Sequence, residues 1–169
     1  MYKGKIYVAF DAINNKKERL ELDKFRQSDK SKFNFYDGAE YAKLLDVEND
    51  DLLKAKIQKN MDDADIVLVL LSKTLKSMRR FSKWQVEYAI SAKKPIVVLN
   101  NTRIRAIDND IAPTALKNHL CLYIPYDEKA LELSCMNWPS SHKQHLDNDD
   151  KCPYRYDYSV YKELYDEED

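Results

Sequence analysis

The stretch "DIVLVLLS", residues 65–72, decides the fold class of this chain. Its apolar run has the length of a strand and falls far short of the roughly 20 residues that a membrane-spanning helix needs. A strand that is apolar on both sides must be covered on both faces, as in the middle of a parallel sheet. The stretch "KPIVVLNN", residues 94–101, has the same character and predicts a second central strand.

Strand and helix patterns alternate along the rest of the chain. Strands are predicted over residues 5–10, 32–38 and 119–127, and helices over residues 14–28, 48–64, 79–93 and 112–118. Alternation of this kind predicts right-handed βαβ units and a doubly wound α/β sheet. We expect the core to centre on six apolar strand residues, namely Val8, Ile66, Leu68, Leu70, Val97 and Leu99.

Length and composition limit the function classes. A chain of 169 residues is long enough for one domain. Its net charge of −1 does not provide the excess of positive charge that binding to nucleic acid or to an anionic membrane needs. Only two glycines are present, which excludes the glycine-rich phosphate loops of Rossmann and P-loop proteins. The three separated cysteines, and a strand where a signal peptide would need a leader, predict a cytoplasmic protein.

Ligands of doubly wound sheets bind at the carboxyl ends of the strands. Phe10 ends the first predicted strand and Asp11 follows it, Asp37 lies at the end of the second, and Ser72 lies at the end of the third. These four residues, with Trp84 of the next helix, are therefore candidate ligand contacts. Each of them can also serve the fold alone.

The helix that follows the central strand carries "SKWQVEYAI", residues 82–90. A rotation of 100° per residue predicts a buried stripe made of Phe81, Trp84, Tyr88, Ala89 and Ala92. Glu87 then lies at the edge of that stripe, where burial beside an aromatic ring can perturb the pKa of a carboxyl group and suit it to catalysis. The alternative is a surface ion pair with Lys83, which contributes about 0.3–0.5 kcal/mol.

From "IYVAFD" through "DADIVLVLLS" and "SKWQVEYAISAKKPIVVLNN", the sequence resembles TIR-like domains, in particular the TIR-like subunit of bacterial Thoeris antiphage systems. The resemblance covers roughly residues 4–127. It implies a single flavodoxin-like/TIR-like domain with about five mainly parallel strands and helices on both faces. We accordingly assign residues 1–133 to a TIR-like domain and residues 134–169 to a C-terminal extension with an appended helix. In many TIR domains the tryptophan precedes the glutamate by four residues, whereas Trp84 and Glu87 are three apart.

The resemblance also implies an activity. Active members of the family cleave NAD+ at the nicotinamide–ribose bond with the glutamate of this helix, and some cyclise the product into a signal for a separate effector protein. Glu87 is the matching acid, NAD+ would be substrate rather than cofactor, and association into a homo-oligomer on activation is left open. A non-catalytic TIR adaptor is the rival from another class, and a nucleoside 2-deoxyribosyltransferase is a lesser one. A phosphoacceptor receiver domain is excluded because Ser72 stands where its aspartate would be.

The C-terminal extension is polar and rich in turn-forming residues. The candidate zinc ligands Cys135, His142, His145 and Cys152 are predicted to share one loop, but their spacing matches no familiar zinc module, so no metal is predicted. Four tyrosines recur at helical spacing near the end of the extension: Tyr154, Tyr158, Tyr161 and Tyr165. Core packing or self-association explains these tyrosines better than ligand binding does.

Overall fold

A computed structural model describes residues 2–10, 16–28, 33–37, 50–71, 80–101 and 104–166. Its strands are β1 (Lys5–Ala9), β2 (Asn34–Asp37), β3 (Ile66–Leu71), β4 (Ile96–Asn100), β5 (Leu122–Pro125) and β6 (Tyr154–Arg155). They form one sheet in the order β2-β1-β3-β4-β5-β6. All neighbouring strands in this sheet are parallel. The predicted doubly wound α/β fold is confirmed, with one strand more than expected.

Helices cover both faces of this sheet. They are α1 (Lys16–Ser28), α2 (Asp50–Asp62), α3 (Arg80–Ser91), α4 (Thr114–Lys117), α5 (Glu128–Asp147) and α6 (Tyr158–Asp166). Helices α1, α5 and α6 contribute side chains to the apolar cluster on the first face. Helices α2, α3 and α4 contribute to the cluster on the second face. None of the helices in the described ranges combines the length and apolar character that crossing a bilayer needs.

The two central strands divide their side chains between these clusters. All six residues of β3 are buried, and successive ones alternate between the two faces. The six predicted core residues are all buried in the first cluster, which confirms that prediction. Their burial follows from their position, because a central parallel strand with helices on both sides has no solvent face.

The polar stretch after residue 133 is mostly helical. Helix α5 continues to Asp147, so the prediction that the four candidate zinc ligands share one loop is wrong: Cys135, His142 and His145 lie on this helix. Buried positions recur along it once per helical turn, singly or in adjacent pairs, namely Ala130, Leu131, Ser134, Cys135, Trp138 and His142. The abundance of polar residues and the internal Pro139 hid that periodicity.

The rest of the extension adds to the sheet and to the core. Strand β6 pairs with β5, with Tyr154 opposite Leu122 and Arg155 opposite Tyr123. Helix α6 then places Tyr161 in the first cluster with none of its surface exposed. The division at residue 133 stays a prediction about domain organisation, and in the structure that position lies inside α5.

Candidate functional site

Glu87 lies on the outer side of α3. The buried side chains of this helix are Ser82, Gln85, Val86 and Ala89. Glu87 projects away from all of them, and 52% of its side-chain surface is exposed. Its carboxylate is 3.6 Å from the Nζ of Lys83. The predicted buried stripe is therefore wrong except for Ala89: Trp84 and Tyr88 are half-buried, Ala92 is exposed, and the side chain of Phe81 is outside the described residues.

Trp84 packs on the second face of the sheet. Its ring stacks on that of Tyr88 with centroids 5.7 Å apart, and the Nζ of Lys54 lies 5.8 Å from its centroid. The hydroxyl of Tyr88 donates to Asp62 at 2.7 Å. This hydrogen bond and partial burial raise the pKa of Tyr88 to about 12. Trp84 thus lies in the contact between α2 and α3, where polar groups of α2 surround its ring and that of Tyr88.

Phe10 and Asp37 lie on the first face. Phe10 is buried in the first cluster. The carboxylate of Asp37 accepts a hydrogen bond of 2.7 Å from the Nε of Arg19, whose Nη1 also donates to Asp23 at 2.7 Å. Burial lowers the pKa of Arg19, but the two carboxylates outweigh it and the net shift is upward. Asp37 is therefore held in an ion-pair network on α1.

The predicted contacts do not gather in one place. The sheet separates Phe10 and Asp37 on the first face from Trp84 and Glu87, which are carried by a helix of the second face. Asp11 and Ser72 lie outside the described residues. The roles predicted for these six residues stay predictions.

A cleft of 540 Å³ opens at the carboxyl ends of β4 and β5, next to α1 and the start of α5. Its wall combines aromatic and charged side chains: Glu21, Lys24, Phe25, Asn101, Arg105, Pro125, Tyr126, Asp127, Glu128 and Tyr165. Sequence reasoning did not select these residues. The signal that points to them is their position, because Asn101 and Pro125-Tyr126 are strand ends, where ligands of this fold bind.

Hydrogen bonds fix the wall of the cleft. The side-chain amide of Asn101 donates to Glu18 at 3.0 Å, and the hydroxyl of Tyr126 donates to the backbone carbonyl of Glu18 at 3.0 Å. The rings of Phe25 and Tyr126 are 5.2 Å apart. Burial is the main cause that raises the pKa of Tyr126 above its ordinary value, so its hydroxyl stays a neutral donor.

The loop after β4 carries Arg105 to the edge of the cleft. The buried side-chain amide of Asn100 holds this loop by donating to the carbonyls of Ile104 at 2.8 Å and Ala106 at 2.9 Å. The guanidinium carbon of Arg105 is then 4.6 Å from the ring centroid of Tyr161 and 5.8 Å from that of Tyr165. Arg105 joins the β4 loop to α6.

The histidines of α5 lie at the opposite edge of the sheet. His142 is buried, its ring is 5.9 Å from that of Trp138, and burial lowers its pKa to about 4. The Nδ1 of His145 is 3.2 Å from a carboxylate oxygen of Asp150. Burial raises the pKa of the Cys135 thiol to about 12. Within the described part of the chain, His, Cys, Asp and Glu side chains form no group of three or more that could hold a metal ion.

Comparison with known proteins gives one family and a set of similar folds. The family model for the Thoeris protein ThsB, TIR-like domain, matches residues 7–106, more than half of the chain. That match runs from β1 to the loop after β4 and includes the helix with Glu87. No curated protein matches the sequence.

The similar solved structures share little sequence with this chain. A 2-deoxyribosyltransferase from Bacillus psychrosaccharolyticus has a TM-score of 0.52 and 14% identity, over 89% of this chain and 98% of that one. A conserved protein from Enterococcus faecalis V583 has a TM-score of 0.47 and 16% identity, over 97% of this chain and 98% of that one. The first likeness supports the fold alone.

Proposed function

The chain belongs to the TIR-like domain family of the Thoeris protein ThsB, and from this membership we propose that it cleaves NAD+ at the nicotinamide–ribose bond. The family match includes the helix of Glu87, and this observation carries the proposal. The product would be an ADP-ribose-type signal, linear or cyclic, that a separate effector protein reads in defence against phage.

The chemistry needs few protein groups. When the bond between the ribose carbon and the nicotinamide nitrogen breaks, its electron pair goes to the nitrogen and nicotinamide leaves as a neutral molecule. Positive charge then develops on the ribose, and a carboxylate close to it stabilises that transition state, as in glycosidases. In this proposal the carboxylate is that of Glu87. Attack by water, which then releases a proton, gives ADP-ribose, and attack by the adenosine half of the same molecule gives a cyclic isomer.

The exposure of Glu87 bears on how such a site would work. Half of its side-chain surface faces solvent, so substrate can reach it, yet charge stabilisation is strongest where water is excluded. We therefore propose that a second copy of the chain covers this face of α3 on activation. Trp84 and Tyr88 at the α2–α3 contact would offer flat surfaces for a base.

The test compares two variants that break the same ion pair. Glu87→Gln removes the carboxylate, whereas Lys83→Gln leaves it in place, and both positions are exposed. We expect Glu87→Gln to lower nicotinamide release by roughly 100-fold or more, and Lys83→Gln to stay near the wild-type rate. The measurement uses activated protein or lysate of infected cells. Wild-type turnover by the Glu87→Gln protein under the same activation would show that the assignment is wrong.

A non-catalytic adaptor is the second candidate, and the geometry of the Lys83–Glu87 pair favours it. An exposed pair of opposite charges on an outer helix face suits a protein contact as well as a reaction. If this candidate is right, wild-type protein releases no nicotinamide even in infected cells, and Lys83→Gln and Glu87→Gln weaken the same complex. Nucleoside 2-deoxyribosyl transfer stays a lesser alternative, and an assay of base exchange between deoxynucleosides tests it.

A further inference from the structure

Two cavities meet at Arg105. The larger is the 540 Å³ cleft at the carboxyl ends of β4 and β5, a volume within the range of small-molecule sites. The smaller, of 200 Å³, lies between the β4 loop and the chain from β6 to α6. Arg105 lines both of them. The two cavities therefore share the side chain of Arg105.

The larger cavity suits a nucleoside. The rings of Phe25 and Tyr126 line it and offer aromatic surface to a base. The carboxylates of Glu21 and Glu128 line it as well, and carboxylates accept hydrogen bonds from ribose hydroxyls. Three carboxylates line this cavity against the two cations Lys24 and Arg105, and the excess of negative charge directs an anionic end of the ligand elsewhere.

The smaller cavity suits that anionic end. Its wall contains two positively charged side chains, those of Arg105 and Arg155, and one carboxylate, that of Asp157. Arg105 lies over the Tyr161 ring, with its guanidinium carbon 4.6 Å from the ring centroid. Planar guanidinium groups of this kind bind phosphate oxygens in pairs.

Two tyrosine hydroxyls beside the smaller cavity are enclosed by protein. Tyr156 and Tyr161 line the smaller cavity, and neither hydroxyl has a hydrogen-bond partner among the described residues. Tyr161 has no exposed surface at all. Because neither hydroxyl oxygen is accessible, a ligand in this cavity would be held by the arginines rather than by these oxygens.

We propose that the two cavities together bind a phosphorylated nucleoside, with the base and ribose in the larger one and the phosphate between Arg105 and Arg155. The site lies on the first face and at the carboxyl edge of the sheet, away from Glu87, and its formation does not depend on the role of that residue. Much of its wall, including Tyr126 and Tyr161, lies beyond the family match at residues 7–106. It is therefore a feature of the C-terminal elements of this chain.

The test measures binding of ADP, adenosine and inorganic phosphate to the full chain by titration calorimetry. We expect ADP to bind at least about tenfold more tightly than adenosine or phosphate, since it alone fills both cavities. Arg155→Gln removes a charge at the mouth of the smaller cavity and is expected to weaken ADP binding by about tenfold or more, with adenosine binding unchanged. Tyr161→Phe keeps the ring and removes a hydroxyl that the ligand does not reach, so ADP binding is expected to stay within about twofold of wild type.

Lys162→Gln is the matched control. It removes one positive charge from α6 at an exposed position outside both cavities, so ADP binding is expected to stay within about twofold of wild type. The inference is overturned if ADP does not bind, if adenosine or phosphate alone binds as tightly as ADP, or if Arg155→Gln and Lys162→Gln have equal effects.

Discussion

Replacement of Tyr161 by alanine tests whether the C-terminal helix is part of the core. The side chain has no exposed surface, belongs to the first apolar cluster, and has Arg105 over its ring at 4.6 Å. Truncation of a large buried aromatic ring to alanine typically costs about 3–5 kcal/mol, and loss of the cation contact adds about 0.5–1 kcal/mol. Since domains of this size are stable by about 5–15 kcal/mol, Tyr161→Ala is expected to remove a large part of the total.

Two further variants isolate the cause. Tyr161→Phe removes only a hydroxyl that has no partner among the described residues, so we expect the stability to stay the same or to rise, by at most about 1–3 kcal/mol. Tyr158→Ala, on the same helix, removes a ring that also faces Arg105 but is 74% exposed, and we expect a cost of at most about 1 kcal/mol. Urea unfolding followed by far-UV circular dichroism gives the three values. A cost below about 1 kcal/mol for Tyr161→Ala, or equal costs for the two alanine variants, would refute the packing of α6 onto the sheet.

Two more predictions concern pH and the loop after β4. His142 has a folded-state pKa of about 4 against an ordinary value of 6.5, so the unfolded chain takes up a proton first, and stability is expected to fall by about 2–3 kcal/mol as pH drops from 6.5 to 4. His142→Gln should make stability less dependent on pH between 6.5 and 4. The same pH dependence in both proteins would show that His142 is not the group responsible. Asn100→Ala removes both amide hydrogen bonds to the Ile104 and Ala106 carbonyls and is expected to cost about 1–3 kcal/mol. Faster hydrogen exchange over residues 104–107 would accompany it, whereas unchanged exchange there would count against a role for Asn100 in holding the loop.

The strands of the sheet were predictable because their pattern is physical and local. A run such as residues 66–71 must be covered on both faces wherever it lies, and alternation with helices then fixes a parallel sheet. The faces of the helices were less predictable. On α3 the polar side chains of Ser82 and Gln85 are buried while Trp84 is only half-buried. For Gln85 the reason is a contact with β1, which is far away in sequence: the hydroxyl of Tyr7 donates to its side-chain oxygen at 2.7 Å.

The candidate cleft was harder to predict for a related reason. Its wall combines the β4 loop, α1, the start of α5 and Tyr165 of α6. These segments are far apart in sequence, so spacing within one motif cannot reveal their meeting. Only the rule that ligands bind at the carboxyl ends of strands pointed to this edge of the sheet.

The pairing of the short β6 strand with β5 has a consequence for chains cut back to the family segment. Outermost strands present unpaired backbone N–H and C=O groups, which act as templates for pairing with other molecules and for aggregation. Strand β6 occupies that position beside Leu122 and Tyr123, and all four residues of β5 are buried. A shortened chain that ends before residue 154 would expose an apolar strand with free backbone groups. Aggregation of such a fragment would result from the unpaired edge of β5 and would not represent an assembly that the intact protein makes.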